Sequence, residues 1–162
     1  MKKTIIKRRF ISSVLFVFII NIVLMVGCDS NSTQTAGETN FIFPVNGGEI
    51  IEYGHWDGGS ETYKGIKIEA TESNEILAAA DGEVVFAEWY AGYGLSLMIQ
   101  HDDLITTLYA HCDELLVDAG DYVTQGQSVA MVGATGTTEL EALHFEIIID
   151  GINVNPMDYI NK

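Results

Sequence analysis

Residues 82–111 read GEVVFAEWYAGYGLSLMIQHDDLITTLYAH. This stretch contains three runs rich in β-branched, aliphatic and aromatic residues, namely Gly82–Trp89, Gly94–His101 and Leu104–His111. The glycines and the aspartate pair between the runs suit tight turns. Several runs alternate apolar and polar residues at period two, and none keeps the apolar stripe of a helix. The pattern therefore predicts antiparallel strands joined by hairpins.

The same pattern of short β-type runs separated by turn residues extends from Phe41 to the end of the chain. Further β-type runs are Glu75–Ala80, Tyr122–Val132 and Leu143–Ile149, and turn residues separate them. A turn is also predicted within the second run, at Gln125-Gly126. We therefore predict one all-β domain of small antiparallel sheets at residues 41–162.

The first 27 residues predict a lipoprotein signal peptide. Basic residues precede an apolar run that ends in Leu24-Met25-Val26-Gly27-Cys28, and this ending resembles a lipobox with Cys28 as the lipidated residue. Residues 28–40, rich in Ser, Thr and Asn, predict a flexible tether. An uncleaved membrane anchor is the alternative for the apolar run, because its length only just reaches the roughly 17 to 25 residues that span a bilayer. Both interpretations predict an extracytoplasmic domain, and the first predicts a lipoprotein anchored to the cell membrane.

The charge of the predicted mature chain is strongly negative. The full chain has a formal net charge of −15, and residues 28–162 retain only Lys64, Lys67 and Lys162 against 23 acidic residues. Such a surface repels nucleic acid, anionic lipid and anionic wall polymers. We therefore exclude nucleic-acid binding and expect an uncharged or basic partner.

Several segments occur in the order and spacing of one protein family. They are FPVNGG (residues 43–48), YKGIKI (63–68), AADGEV (79–84), YAH (109–111), GDYVTQGQ (120–127), ALHFE (142–146) and the closing pair Asn155-Pro156. Together they resemble the LytM and lysostaphin-type zinc endopeptidases, which cleave peptide cross-bridges of peptidoglycan. The resemblance covers residues 41–160 and implies a LytM-like barrel-sandwich fold with a duplicated hybrid motif.

The resemblance also implies a catalytic site that this sequence only partly retains. In active members, zinc is held by the His and Asp of a His-x-Gly-x-Asp segment and by the second His of a His-x-His-Phe-Glu strand. The His of a Tyr-x-His strand and the first His of His-x-His handle the attacking water and the developing oxyanion. By position, His111 keeps a catalytic histidine and His144 keeps a metal ligand. Tyr63, Lys67 and Ala142 replace the other three residues.

These replacements predict that zinc is not bound. A catalytic zinc ion needs about three protein ligands and an open position for water. Ala142 removes a proton-handling group, and Lys67 places an ammonium where the family has a carboxylate. At about 4 Å and an effective dielectric of about 20, two unit charges interact by about 4 kcal/mol, and a divalent ion doubles that repulsion. We hypothesise that the Lys67 ammonium occupies the vacated cation position near His111 and His144, with Glu146 on the same strand face as His144.

The leading prediction for function is a non-catalytic, membrane-tethered module that binds peptidoglycan peptide or a cell-envelope protein in the old substrate groove. The resemblance supports this class, because family members that have lost metal ligands include activators of wall hydrolases and parts of sporulation channels. The main alternative is an active zinc endopeptidase with a relocated ligand such as His55. A lipoyl or biotinyl carrier is a third alternative, but neither Lys64 nor Lys67 lies in the expected hairpin turn.

Other residues keep two interpretations. The aromatic residues Trp56, Trp89, Tyr90 and Tyr93 suit either a glycan-binding groove or the core. His101 is predicted to be solvated at a hairpin. Cys112, which has no disulfide partner once Cys28 carries lipid, is predicted to be a small buried side chain.

Overall fold

The computed structural model of this protein describes residues 40–54 and 64–161. The chain separates into two compact units, Met1–Thr35 and Ala36–Lys162, and the described residues belong to the second. The predicted signal peptide, Cys28, residues 28–39 of the tether, His55 and Tyr63 therefore lie outside the described residues. Within the described part, no helix is long and apolar enough to cross a membrane.

The described residues form twelve strands and two short 3₁₀ turns. The strands are Phe41–Ile42 (β1), Glu49–Tyr53 (β2), Ile66–Glu69 (β3), Glu75–Leu77 (β4), Gly82–Trp89 (β5), Leu95–Gln100 (β6), Ile105–Leu115 (β7), Tyr122–Val123 (β8), Ser128–Val132 (β9), Leu143–Ile149 (β10), Ile152–Val154 (β11) and Ile160–Asn161 (β12). The 3₁₀ turns are Ala91–Tyr93 and Pro156–Asp158. The predicted all-β class is confirmed.

One large antiparallel sheet organises the domain. Its strand order is β2-β3-β10-β7-β6-β5-β8, with β11 paired to β10 and with β9 paired to both β4 and β7. A separate two-stranded parallel pair joins β1 to β12 and so brings together the two ends of the described chain. Strand β10 lies between β3 and β7, and this placement brings the motif residues of three distant segments side by side.

The predicted run Tyr122–Val132 is divided into two strands at the turn predicted for Gln125-Gly126. It forms β8 and β9, and these pair with different neighbours, β8 with β5 and β9 with β4 and β7. Between them the chain turns, because Gln127 N donates to Thr124 O at 2.9 Å and Gly126 adopts a φ of +80°. The predicted turn is confirmed, and Gly126 is the residue whose positive φ permits it.

The core fills one face of the large sheet with aliphatic and aromatic side chains. Tyr109 on β7 and Phe145 on β10 are fully buried, with ring centroids 5.2 Å apart. The hydroxyl of Tyr109 accepts from Ala79 N at 2.8 Å, so its one polar group is satisfied inside the core. Cys112 is buried in the same core, as predicted.

A β-bulge in β7 decides which way His111 points. Leu95 pairs with Cys112 and Leu97 pairs with Tyr109, so Ala110 and His111 together lie opposite the single residue between Leu95 and Leu97. His111 takes a φ of 63°, in the left-handed region. Strict alternation would place His111 on the core face with Tyr109. The bulge instead turns the imidazole to the opposite face of the sheet.

Candidate functional site

The family motif residues meet on the face of the sheet opposite the core. His144 pairs with Lys67 of β3 on one side and with Ala110 of β7 on the other. Directly paired residues of antiparallel strands have side chains on the same face, about 4.5 to 5.5 Å apart at Cβ. The bulge adds His111, whose ring centroid lies 6.0 Å from that of His144. The structure thus brings His111, His144 and Lys67 together.

Glu146 is the buried centre of this site. His144 Nε2 lies 2.8 Å from its Oε1, and the hydroxyl of Tyr93 donates to the same oxygen at 2.9 Å. The amide of Asn153 donates to Oε2. Only 3% of Glu146 is exposed, so these donors replace the water that a carboxylate normally requires. The predicted shared face of His144 and Glu146 is confirmed by their direct contact.

The hydrogen bonds keep Glu146 ionised. Burial raises its pKa, but the hydrogen bonds from His144, Tyr93 and Asn153, with the charge of His144, outweigh burial and bring the net pKa below its ordinary value. For Tyr93, burial and the adjacent Glu146 carboxylate raise the pKa of the phenol, so its proton stays in place to donate. The carboxylate is therefore an acceptor whose lone pairs face the site's own donors.

His111 is held by Thr135. Its Nδ1 lies 2.8 Å from the carbonyl oxygen of Thr135, and because a carbonyl can only accept, Nδ1 carries the proton. Burial lowers the pKa of His111, which favours the neutral ring, and Nε2 is then an acceptor. Thr135 also fixes the neighbouring loop, because its Oγ1 accepts from Leu95 N at 2.9 Å and donates to Cys112 O at 2.7 Å.

Lys67 forms an ion pair that the sequence did not reveal. Its Nζ lies 3.0 Å from Glu52 Oε2, and Glu52 is its partner across the β2–β3 ladder. The Lys67 side chain is 13% exposed, and Lys67 lies directly across from His144 in the β3–β10 ladder. Residues 49–53 had not been predicted to form a strand, which is why this partner was missed.

Of the remaining predicted site residues, Ala142 is fully buried and leads into β10, where its methyl group supplies no donor. Tyr63 and the alternative ligand His55 lie outside the described residues, as does Trp56. His101 is only partly exposed, and both ring nitrogens are engaged, Nδ1 with Asp81 O at 2.7 Å and Nε2 with Thr107 Oγ1 at 2.8 Å. Its predicted solvation is therefore wrong.

A row of aromatic rings leads into the site from the exposed end of β5. Tyr90 stacks on Tyr93 with centroids 5.4 Å apart and nearly parallel planes, and Phe86 contacts Tyr90 edge-on at 5.6 Å. Tyr93 in turn lies 5.3 Å from His144. Tyr93 is thus part of the site wall, whereas Trp89 is 61% exposed and lies outside the core.

The side chains that the structure describes at this site do not fit a catalytic zinc ion. Across residues 40–54 and 64–161, no group of three or more His, Cys, Asp or Glu side chains is arranged to hold a metal. His144 Nε2 is directed at Glu146, and the cross-strand neighbour of His144 is a cation. A divalent ion placed there meets an ammonium where a carboxylate ligand is required.

Comparison with known proteins identifies the family to which these features correspond. A family model described as Peptidase family M23 matches residues 61–156. The murein hydrolase activator EnvC of Escherichia coli is 37% identical over 120 residues, which cover 74% of this chain and 29% of EnvC. The uncharacterized lipoprotein YgeR of the same species is 35% identical over 131 residues, covering 80% of this chain and 51% of YgeR. This chain therefore spans about a third of the activator and about half of the lipoprotein.

A solved structure agrees with the sequence relatives. A zinc-containing peptidase from Vibrio cholerae superimposes with a TM-score of 0.65 at 27% identity, over 71% of this chain and 38% of the peptidase. The similarity shows that this chain shares the fold of a zinc-containing peptidase.

Proposed function

The chain belongs to peptidase family M23, and we propose that it is a non-catalytic member that binds a peptidoglycan peptide or a cell-envelope protein in the groove beside His111 and His144. We further propose that residues 1–27 are a lipoprotein signal peptide, that Cys28 carries lipid and that residues 28–40 tether the domain to the outer face of the cell membrane. The lipoprotein among the relatives supports this location.

One observation carries the proposal, namely the position of Lys67. Its ammonium shares the sheet face of His144 and pairs with Glu52, so the charge that active members supply with a metal ion is supplied here by a side chain. An ammonium donates hydrogen bonds to a peptide carbonyl, but it does not generate a nucleophilic hydroxide as a zinc ion does. Such a groove retains the means to hold a peptide and lacks the means to cleave it.

The remaining polar groups support binding of neutral peptide groups. The neutral ring of His111 offers Nε2 as an acceptor, and Lys67 offers N–H donors. The carboxylate of Glu146 is already bonded to Tyr93, His144 and Asn153, so its charge is compensated within the domain. The relative named as a murein hydrolase activator supports a regulatory role in wall metabolism.

The test compares the natural chain with a triple variant, Tyr63→His, Lys67→Asp and Ala142→His. Both proteins are incubated with zinc, dialysed, measured for bound metal and added to purified sacculi. We expect the natural chain to sediment with sacculi, to retain no zinc and to release no peptides. Zinc and hydrolysis gained only by the triple variant support the proposal.

Lys64→Asp is the matched control, because Lys64 is exposed and lies on the same segment. It makes the same change of charge without adding a ligand to the site. Stoichiometric zinc in the natural chain, accompanied by release of cross-bridge peptides, overturns the proposal in favour of an active zinc endopeptidase.

A further inference from the structure

Strand β5 has a free edge beside the aromatic row. Along its length β5 pairs with β6, but on its other side β8 pairs only with Gly82 and Glu83. The next residue, Val84, is still covered, because its N–H donates to Asp121 O at 2.8 Å and its carbonyl accepts from Gly120 N at 2.7 Å. Within the part of the chain that the structure describes, no strand pairs with the outer edge of residues 85–89.

The register shows which backbone groups face outward. Tyr90 N donates to Gly94 O at 2.8 Å and closes the β5–β6 hairpin. Two residues before Tyr90, Glu88 of β5 pairs with Ser96. Antiparallel strands alternate hydrogen-bonded and non-hydrogen-bonded pairs, so Glu88 bonds towards β6. The N–H and C=O groups of Ala87 and Trp89 therefore point away from the sheet.

The side chains on this edge are more apolar than solvent-facing edges usually are. Val85 is 45% exposed and Trp89 is 61% exposed, with Ala87 between them only partly covered. Exposed strand edges in soluble domains are usually blunted by lysine, proline or a covering loop, because an open apolar edge accepts another strand. Here the edge has a bulge at Val85 but no lysine and no proline.

The negative charge around the edge of β5 favours a partner strand with basic side chains. Glu83 and Glu88 are exposed on β5, and residues 28–162 contain three lysines against 23 acidic residues. Opposite charges across a strand pair stabilise it and like charges weaken it. A second copy of this domain would bring together two strongly acidic surfaces, so self-pairing is disfavoured.

We propose that the outer edge of β5, Val85–Trp89, binds an extended segment of an envelope protein by strand addition, and that this segment alternates apolar and basic side chains. The backbone groups of Ala87 and Trp89 supply the hydrogen bonds, Trp89 and Val85 contact the apolar side chains, and Glu83 and Glu88 pair with the basic ones. This inference rests on the proposed binding function and specifies the partner's chemistry.

The first experiment measures backbone pairing directly. The probe is a synthetic heptapeptide of alternating lysine and valine with threonine ends, added to the isotope-labelled full chain in detergent micelles. We expect the amide protons of Ala87 and Trp89 to exchange more slowly when the peptide is bound. The same peptide N-methylated at alternate residues keeps its charge but loses strand donors, and it should give no protection. Protection by both peptides, or by neither, overturns the proposal.

The second experiment measures affinity for the same heptapeptide with edge variants. Ala87→Pro removes an outward N–H at an edge position where proline is tolerated, and we expect a loss of about tenfold or more. Trp89→Lys should give a similar loss through its side chain. Ile152→Lys is the matched control, because Ile152 is equally exposed on β11 and the change adds the same charge. The proposal is overturned if the Trp89→Lys variant binds the heptapeptide as tightly as the natural chain does, or if Ile152→Lys loses as much affinity as Trp89→Lys.

The two proposals fail separately. Sacculus hydrolysis by the natural chain, with edge protection intact, removes the non-catalytic function and leaves the β5 edge as a docking site. Retention on sacculi without hydrolysis, together with no protection of Ala87 and Trp89, removes the edge proposal alone. Concentration-dependent dimerisation that protects the same amides shows that the occupant is a second copy, and this overturns the assignment of a basic partner.

Discussion

Lys67 on β3 lies directly opposite His144 on β10, and its ammonium is paired with Glu52 on β2. The neighbouring strands β2, β3 and β10 thus carry a carboxylate, an ammonium and an imidazole, respectively, on one face of the sheet. The arrangement is self-contained, because the positive charge is supplied by the chain and its counter-charges come from the same sheet. This relationship places a positive charge of the chain's own directly across from His144.

Substituting Tyr63→His and Lys67→Asp together should make the stability of the domain depend on zinc. Without metal, the new carboxylate faces Glu52, so we expect a lower melting temperature. Zinc bound by the new histidine, the new carboxylate and His144 stabilises the folded state by linkage, raising the melting temperature by about 5 °C at saturating metal. Thermal unfolding with and without zinc measures this. An equal rise for the natural chain would contradict the prediction.

Removing the buried carboxylate of Glu146 should be among the most destabilising single changes on the site face. Glu146→Ala leaves donors of His144, Tyr93 and Asn153 without an acceptor, and we expect a loss of about 3 kcal/mol in the free energy of unfolding. Glu146→Gln keeps one acceptor oxygen, and Asn153 can turn its amide to match, so its loss should be about 1 kcal/mol. Urea unfolding measures both. Equal losses for the two variants would contradict the prediction, because Gln keeps the volume of Glu and one acceptor oxygen whereas Ala keeps neither.

The periodicity of the sequence predicted what lies within one strand and missed what depends on pairing between strands. His144 and Glu146 are two residues apart, so alternation alone placed them on one face. The Lys67–Glu52 pair depends on the register of β2 against β3, and no local pattern specifies that register. His101 was misplaced because its burial comes from Phe41, a distant residue whose ring lies 5.2 Å away.

The bulge in β7 marks a second limit of local patterns. Alternation assigns Tyr109 and His111 to the same face, but the left-handed backbone of His111 separates them. Histidine tolerates this conformation better than a β-branched residue does, yet nothing in its neighbours requires it. The position of His111 in the site therefore followed from the family motif, and its physical cause became visible only in the sheet register.

Gly94→Ala should disrupt the wall of the site, whereas Gly92→Ala should be tolerated. Gly94 has a φ of +69°, and a Cβ there would lie 2.4 Å from the carbonyl carbon of Thr135, the residue that holds His111. We expect a loss of at least about 2 kcal/mol in unfolding free energy. A Cβ on Gly92 meets Thr137 at an ordinary 3.6 Å. Urea unfolding of both variants checks the contrast, and a stable Gly94→Ala protein would show that the loop yields without strain.

The stability of the domain should fall as the pH drops below neutrality, and His101 should account for part of the fall. Burial lowers the pKa of His101 from its ordinary value of 6.5, so the unfolded chain takes up a proton that the folded chain resists. The unfolded state then binds more protons, and the contribution of His101 to stability is full above about pH 6.5 and is lost as the pH falls towards the folded pKa.

His101→Gln should cost about 1 kcal/mol in the free energy of unfolding at pH 7 through the altered contacts with Asp81 and Thr107. Its free energy of unfolding should then change less between pH 7 and pH 5 than that of the natural chain. Burial also lowers the pKa of His111, so the slope should be reduced and not abolished. Urea unfolding at a series of pH values measures the slope, and parallel curves for the two proteins would show that His101 does not titrate differently on unfolding.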